Sequence, residues 1–119
     1  YEPTIFDEVK DDFSITKQEP FGPLVPVLTF KKFDEVIERA NKNELGLASY
    51  IYTNDMEKAN KASEMMESGT VAVNTPVVAV AEAPFGGIKQ SGYGREGGSM
   101  AIKDYLNIKY THLGVYYDR

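Results

Sequence analysis

The 119-residue chain is 42% hydrophobic and 26% charged, which suits one soluble globular domain with its own core. Its net charge of −5 and pI near 4.9 argue against nucleic acid as a partner, because that interaction rests on clustered Lys and Arg. No window approaches the ~20 apolar residues that span a bilayer, and no charged-then-apolar leader opens the chain, so a cytoplasmic protein without membrane contact is expected. In chain order, "YEPTIFDEV" starts at Tyr1 rather than Met and already has a strand-like apolar rhythm, as a piece cut from a longer polypeptide would. After the breaker "EPFGP", the nearly continuous apolar run Val25 to Phe30 reads as a strand covered on both faces. Phe33, Val36, Ile37 and Ala40 then fall on one helical stripe, with Asp34 and Glu35 at the positive end of the dipole, and the helix runs to about Lys42.

"ASYIYT" (Ala48 to Thr53) returns to strand composition. Asn54, three residues before Glu57, reads as the cap of a second helix that carries Met56, Ala59, Ser63 and Met66 at helical spacing. Gly69 stands where a left-handed C-cap is expected, and "TVAVN" (Thr70 to Asn74) follows as a third strand. Strand, helix, strand, helix, strand at these lengths predicts right-handed crossovers. The expected fold class is therefore α/β: a three-layer αβα arrangement with a mainly parallel βαβαβ sheet.

From Thr75 to Gly98 the pattern changes to a long stretch with two prolines, six glycines and no period, which marks it as the place to look for function. A short helix is expected around Met100 to Lys103. "YLNIKYTHL" then alternates, with Leu106, Ile108, Tyr110 and His112 on one face, and reads as a half-exposed edge strand. Lys109 is either an edge guard there or a sign that the strand has a partner.

Gly92, Gly94 and Gly97 have the G-x-G-x-x-G spacing of a dinucleotide-binding loop. That mechanism needs a buried strand before the loop and a helix after it, and "APFGGIKQS" supplies no such strand. Asp118, in the polar tail, is no better as a ribose-binding acid, and "FGGIKQSG" lacks the spacing of a P-loop. Two readings of the glycines stay open: a compact connector packed over Phe85, or a loop lining a pocket at the carboxyl ends of the parallel strands. The chain has no cysteine, which excludes a thiolate nucleophile, and one histidine, His112, around which any Ser-His-Asp triad or multi-histidine metal site would have to be built.

"KQEPFGPLVPVLTF" (Lys17 to Phe30) and "APFGGIKQSGYGRE" (Ala83 to Glu96), with two αβ units between them, closely resemble the C-terminal part of the aldehyde dehydrogenase superfamily. The resemblance covers essentially the whole chain, and "APFGGIKQSG" with "DYLNIKY" looks most like succinate-semialdehyde dehydrogenases. It implies NAD or NADP as cofactor and a small aldehyde as substrate. It also implies that Glu19 hydrogen-bonds the nicotinamide ribose and that Phe21 packs near the nicotinamide ring. Phe85 would line the aldehyde channel, and Lys89 and Arg95 would tie the loop down. Semialdehyde-specific members carry Ser or Thr upstream of P-F-G-G, where this chain has Ala79, Val80 and Ala81, so a more apolar aldehyde competes with succinate semialdehyde.

In the family a cysteine thiolate attacks the aldehyde, hydride passes to NAD(P)+, and a Glu-activated water hydrolyses the thioester. Nucleophile, base and dinucleotide-binding domain all lie N-terminal to the matched region, so the resemblance implies a segment that is inactive alone. Residues 1–104 would belong to the catalytic domain and 105–119 to an oligomerisation strand and tail, with residues 105–113 pairing between subunits of a dimer or tetramer. The rival reading is a stand-alone, non-enzymatic binding or assembly module with the same fold. A free-standing dinucleotide-binding domain is disfavoured, because Glu19 and Phe21 would serve only the nicotinamide end.

Overall fold

A computed structural model describes residues 1–116 of the chain. The first helix, α1 (Phe33–Asn41), starts where Lys32 leaves extended backbone. The Glu35 carboxylate reaches back to accept the N–H groups of Lys31 (3.1 Å) and Lys32 (3.3 Å). Those donors, Lys31 first, hold the Glu35 carboxyl below its ordinary value of 4.5. Ile37 is buried and Phe33 and Val36 are half-buried, as the stripe predicts, whereas Ala40 faces solvent.

The second helix, α2 (Met56–Met65), is capped by Asp55, one residue after the expected Asn54. Asp55 Oδ1 accepts from the N–H groups of Glu57 (3.0 Å) and Lys58 (3.1 Å). Asn54 lies one residue too early to reach those free N–H groups. Met56 departs from the expected stripe: it is exposed, and the buried positions are Ala59 and Ala62, whose small side chains bring the helix close to the strands beneath it. Lys61 joins the two helices, with Nζ 3.1 Å from Asp34 Oδ1 and 5.0 Å from the centroid of the Phe33 ring. The expected left-handed cap at Gly69 is not formed. The helix ends at Met66 in extended backbone, and the left-handed glycines are Gly92, Gly94, Gly97 and Gly98. Gly69 is required for another reason: a Cβ there would run into the backbone of Gly86.

Strands β1 (Thr4–Phe6) and β2 (Leu24–Pro26) pair in parallel, as do β4 (Ala48–Ile51) and β5 (Thr70–Val73), while β3 (Leu45–Gly46) pairs antiparallel with β6 (Ile88–Lys89). The crossover from β4 through α2 to β5 is the βαβ unit that the element order predicts, and α2 packs on both of its strands. The class is α/β. The expected continuous βαβαβ sheet is not formed among the described residues, because β2 pairs with β1 and not with β4.

The strand expected over Val25 to Phe30 is correspondingly short. It stops at Pro26 because its partner β1 ends at Phe6: the pairing runs out one residue later, with the Val27 N–H on the Phe6 carbonyl (2.8 Å), and Val25 and Phe30 are exposed rather than covered. The expected C-terminal edge strand has no ladder partner among the described residues, so residues 106–116 form no assigned strand, and residues 117–119 of the expected tail lie outside the described residues. The alternation within it is visible: Tyr110 Oη and His112 Nδ1, two residues apart, meet at 3.0 Å on one face. Before it, Ala101–Tyr105 makes a 3-10 turn, close to the short helix expected there.

The buried apolar set among the described residues is Val9, Ile37, Ala59, Ala62 and Ala72. The radius of gyration, 21.1 Å, compares with about 13 to 14 Å for a compact chain of this length. Much apolar surface on β1, β2 and the C-terminal segment therefore faces outward.

Candidate functional site

The long segment after β5 leaves the βαβ unit at the carboxyl end of a parallel strand, where α/β folds bind ligands. It is fastened by a chain of specific bonds. Phe85 and Glu96 exchange both backbone hydrogen bonds at 2.7 Å, closing the glycine-rich part into a loop. The Arg95 guanidinium donates to the carbonyls of Gly87 (2.8 Å) and Gly94 (2.6 Å). Lys89, at φ +54°, sends Nζ to the carbonyls of Asn41 (2.7 Å) and Asn43 (3.0 Å) at the end of α1 and to Glu67 Oε2 (2.6 Å). A cation over the last carbonyls of a helix also meets the negative end of its dipole. Ser91 Oγ accepts from Gly46 N–H at 2.9 Å, and Gln90 N–H donates to the Glu44 carbonyl at 3.0 Å. Lys89 and Arg95 tie the loop to itself and to α1, as the sequence predicts.

The dinucleotide reading of Gly92, Gly94 and Gly97 fails on geometry. A pyrophosphate cradle needs free backbone N–H groups. Here Arg95 N–H donates to Asp104 Oδ2 (2.7 Å), Glu96 N–H to Phe85 (2.7 Å) and Gly98 N–H to Ala81 (2.9 Å). The space a Cβ would take at Gly94 holds the Asp104 carboxylate, and at Gly97 it holds the Ala83 carbonyl. The glycines serve close packing of the loop on itself.

Glu19 and Phe21 lie at the turn before β2. Glu19 is exposed, its carboxylate makes no hydrogen bond or ion pair among the described residues, and the Phe21 ring is 94% exposed. An unengaged carboxylate fits vicinal ribose hydroxyls, and an open aromatic face fits a planar ring, so these residues suit the nicotinamide end of NAD(P). Phe85 is half-buried at the foot of the loop and Ala79 is exposed on its approach. A shallow depression of about 610 Å³ is lined by Glu44, Lys89, Gln90, Gly92 and Tyr93, and includes none of these four residues. No group of three or more potential metal ligands occurs among the described residues. No described helix is long and apolar enough to cross a membrane.

Three participants escaped the sequence reading. Asn41 bonds the Met65 carbonyl and the Glu67 N–H through its side chain at 2.8 and 2.9 Å, Asp104 clasps the glycine loop, and Asn74 pairs with Thr53. For Asn74 a signal was present: an Asn directly after an apolar strand tolerates left-handed backbone.

A parallel βαβ unit with a fastened glycine-rich loop beyond its carboxyl edge defines a piece of an α/β domain. The aldehyde dehydrogenase family profile matches residues 1–111, and the chain belongs to that family. It is 50% identical over 114 residues to the 3-sulfolactaldehyde dehydrogenase of Pseudomonas putida, covering 96% of this chain and 24% of that protein. It is 44% identical over 115 residues to the NADP(+) succinate-semialdehyde dehydrogenase of Escherichia coli, covering 97% and 24%. The NAD+ complex structure of an aldehyde dehydrogenase from Bacillus cereus superposes with a TM-score of 0.87 at 45% identity, covering 91% of this chain and 22% of that one. The chain thus spans about a quarter of the length of the curated relatives it matches.

Proposed function

We propose that this chain is the C-terminal part of the catalytic domain of an NAD(P)-dependent aldehyde dehydrogenase that oxidises succinate semialdehyde or a similar small aldehyde to the acid. The observation that carries the reading is the family match over residues 1–111 in a chain that contains no cysteine. The family's nucleophile and base then belong to sequence outside these residues, and the 119-residue chain alone turns over no aldehyde. Residues 1–104 complete the catalytic domain, whose sheet extends β1–β2 and β4–β5 into one three-layer αβα assembly.

In this reading Glu19 accepts hydrogen bonds from the nicotinamide ribose, and the Phe21 ring limits where the nicotinamide moves. When bound, NAD(P)+ accepts the hydride. Phe85 and Ala79 line the aldehyde channel. The exposed carboxylate of Glu19, the open ring of Phe21 and the position of the loop beyond β5 support these roles. Residues 105–113, which have no ladder partner among the described residues, pair with a second subunit of a dimer or tetramer, with residues up to 119 as the tail. The alternating apolar face of Leu106, Ile108 and Tyr110, each largely exposed, supports that role. A cytoplasmic location goes with this reading.

The test uses the full-length polypeptide that carries this sequence. Glu19→Gln is expected to raise the KM for NAD(P)+ about tenfold, the loss of one charge-assisted ribose contact, with little change in the KM for aldehyde. Unchanged cofactor kinetics would remove Glu19 from the site. A native polypeptide without an additional cysteine-bearing segment, inactive towards every aldehyde tried, would leave the non-enzymatic assembly module instead.

A further inference from the structure

We infer that Asn74 is a positioning residue that aims the channel loop, an inference that rests on the proposed role of Ala79 and Phe85. At the end of β5 the Asn74 N–H donates to the Ile51 carbonyl at 2.8 Å, the last backbone rung towards β4. One step further, its side chain replaces a strand residue. Thr53 N–H donates to Asn74 Oδ1 at 2.9 Å, and Asn74 Nδ2 donates to the Thr53 carbonyl at 2.9 Å. The carboxamide offers one acceptor and one donor in the spacing of a peptide group, so the parallel ladder gains a rung made by a side chain.

This leaves the Asn74 backbone free to turn, and it does so at φ +54°, in the left-handed region that Asn enters at lower cost than most residues. The chain leaves the sheet there and runs through Thr75 to Val80, passing Ala79. Along this stretch the hydrogen bonds recorded are internal: Val77 N–H to Thr75 Oγ1 (3.1 Å) and Ala83 N–H to the Val80 carbonyl (3.3 Å). The next tie to a distant part of the loop is Gly98 N–H to the Ala81 carbonyl. The direction in which Ala79 is presented is therefore set by the Asn74 clasp at one end and by the Gly98–Ala81 bond at the other.

Three substitutions separate the two properties of Asn74. Asn74→Gly keeps left-handed backbone at no cost and loses the rung. Asn74→Asp keeps the acceptor for Thr53 N–H and sets an oxygen against the Thr53 carbonyl. Asn74→Ala loses both the rung and the tolerance of φ +54°. In the full-length enzyme, Asn74→Gly and Asn74→Asp are expected to raise the KM for aldehyde at least fivefold with the KM for NAD(P)+ within twofold of wild type. A general loss of folded protein would instead lower the concentration of active sites and leave both KM values alone.

Amide hydrogen exchange gives a readout independent of activity. The Thr53 amide should be protected in wild type, and both Thr53 and the peptide covering residues 75–80 should exchange at least tenfold faster in Asn74→Gly. An aldehyde KM within twofold of wild type in both variants would overturn the inference. So would an unprotected Thr53 amide in wild type, which remains measurable if the variants fail to fold. Wild-type protein that oxidises no aldehyde, with the exchange differences present, would refute the proposed reaction and leave the clasp standing.

Discussion

Replacing Lys89 with Met tests how firmly the glycine loop is fastened to α1. The ammonium has three acceptors, the carbonyls of Asn41 (2.7 Å) and Asn43 (3.0 Å) and the Glu67 carboxylate (2.6 Å), and its side chain is 24% exposed. Glu67 is 54% exposed, so the ion pair is worth about 0.5 kcal/mol. A charged donor on a carbonyl contributes roughly 1.5 kcal/mol, here the bond to Asn41. The bond to the exposed Asn43 is discounted to about 0.5 kcal/mol, because water replaces it easily. The methionine stem keeps most of the lysine's apolar packing, so a net loss of about 2.5 kcal/mol in the free energy of loop opening follows.

That loss is a roughly 70-fold acceleration of exchange at the Gln90 and Ser91 amides, whose bonds to Glu44 and Ile88 depend on the closed loop. Mass-resolved hydrogen exchange on the full-length protein reads it. Glu67→Gln, which removes only the ion pair, should accelerate the same amides about twofold. Equal acceleration by both variants, or less than threefold by Lys89→Met, would refute the view that the two helix-end carbonyls hold the loop.

Two further expectations concern the scaffold. The backbone N–H of Lys58, then its ammonium, holds the Asp55 carboxyl below its ordinary value of 3.8, so the cap contributes fully above that pH and is lost as the pH falls through the lowered folded value. Asp55→Asn, which caps without titrating, should flatten the acid side of a stability profile followed by circular dichroism, while Asp55→Ala should lower stability at neutral pH. Gly69→Ala drives a methyl into the Gly86 backbone and should remove most of the soluble full-length protein, as read from the soluble fraction on expression; normal yield would mean that the contact between the two glycines yields easily.

The elements that local chemistry controls were legible in the sequence. The stripe of Phe33, Val36 and Ile37 placed α1 within a residue or two, and the β-rich runs at Ala48 and Thr70 marked the two strands that α2 joins. The errors came where a residue's role depends on a distant neighbour. Asn54 and Asp55 are both good caps, and only the position of the first free N–H groups chooses between them. Gly69 looked like a helix cap because the contact that requires it, Gly86, lies far along the chain. The strand that composition alone extended to Phe30 is cut short because its distant partner, β1, stops at Phe6.

The glycine loop shows the same division. Rejecting a dinucleotide fingerprint at Gly92 to Gly97 needed only the missing strand, whereas the carboxylate that takes the Arg95 amide, Asp104, has no local signature. Glu19 and Phe21 became candidates through family resemblance.

The loop's fasteners differ in how far they reach along the chain. The Asn74–Thr53 clasp spans 21 positions, and the Lys89 bonds span 46 and 48. During synthesis at 5–20 residues per second, Asn74 is joined to the nascent polypeptide roughly one to three seconds before Lys89. The βαβ unit and its clasp therefore have their parts in hand first, and the part that fastens the loop to α1 is supplied after the part that points it. A slow codon between the two positions would lengthen the interval in which the clasp alone guides the chain.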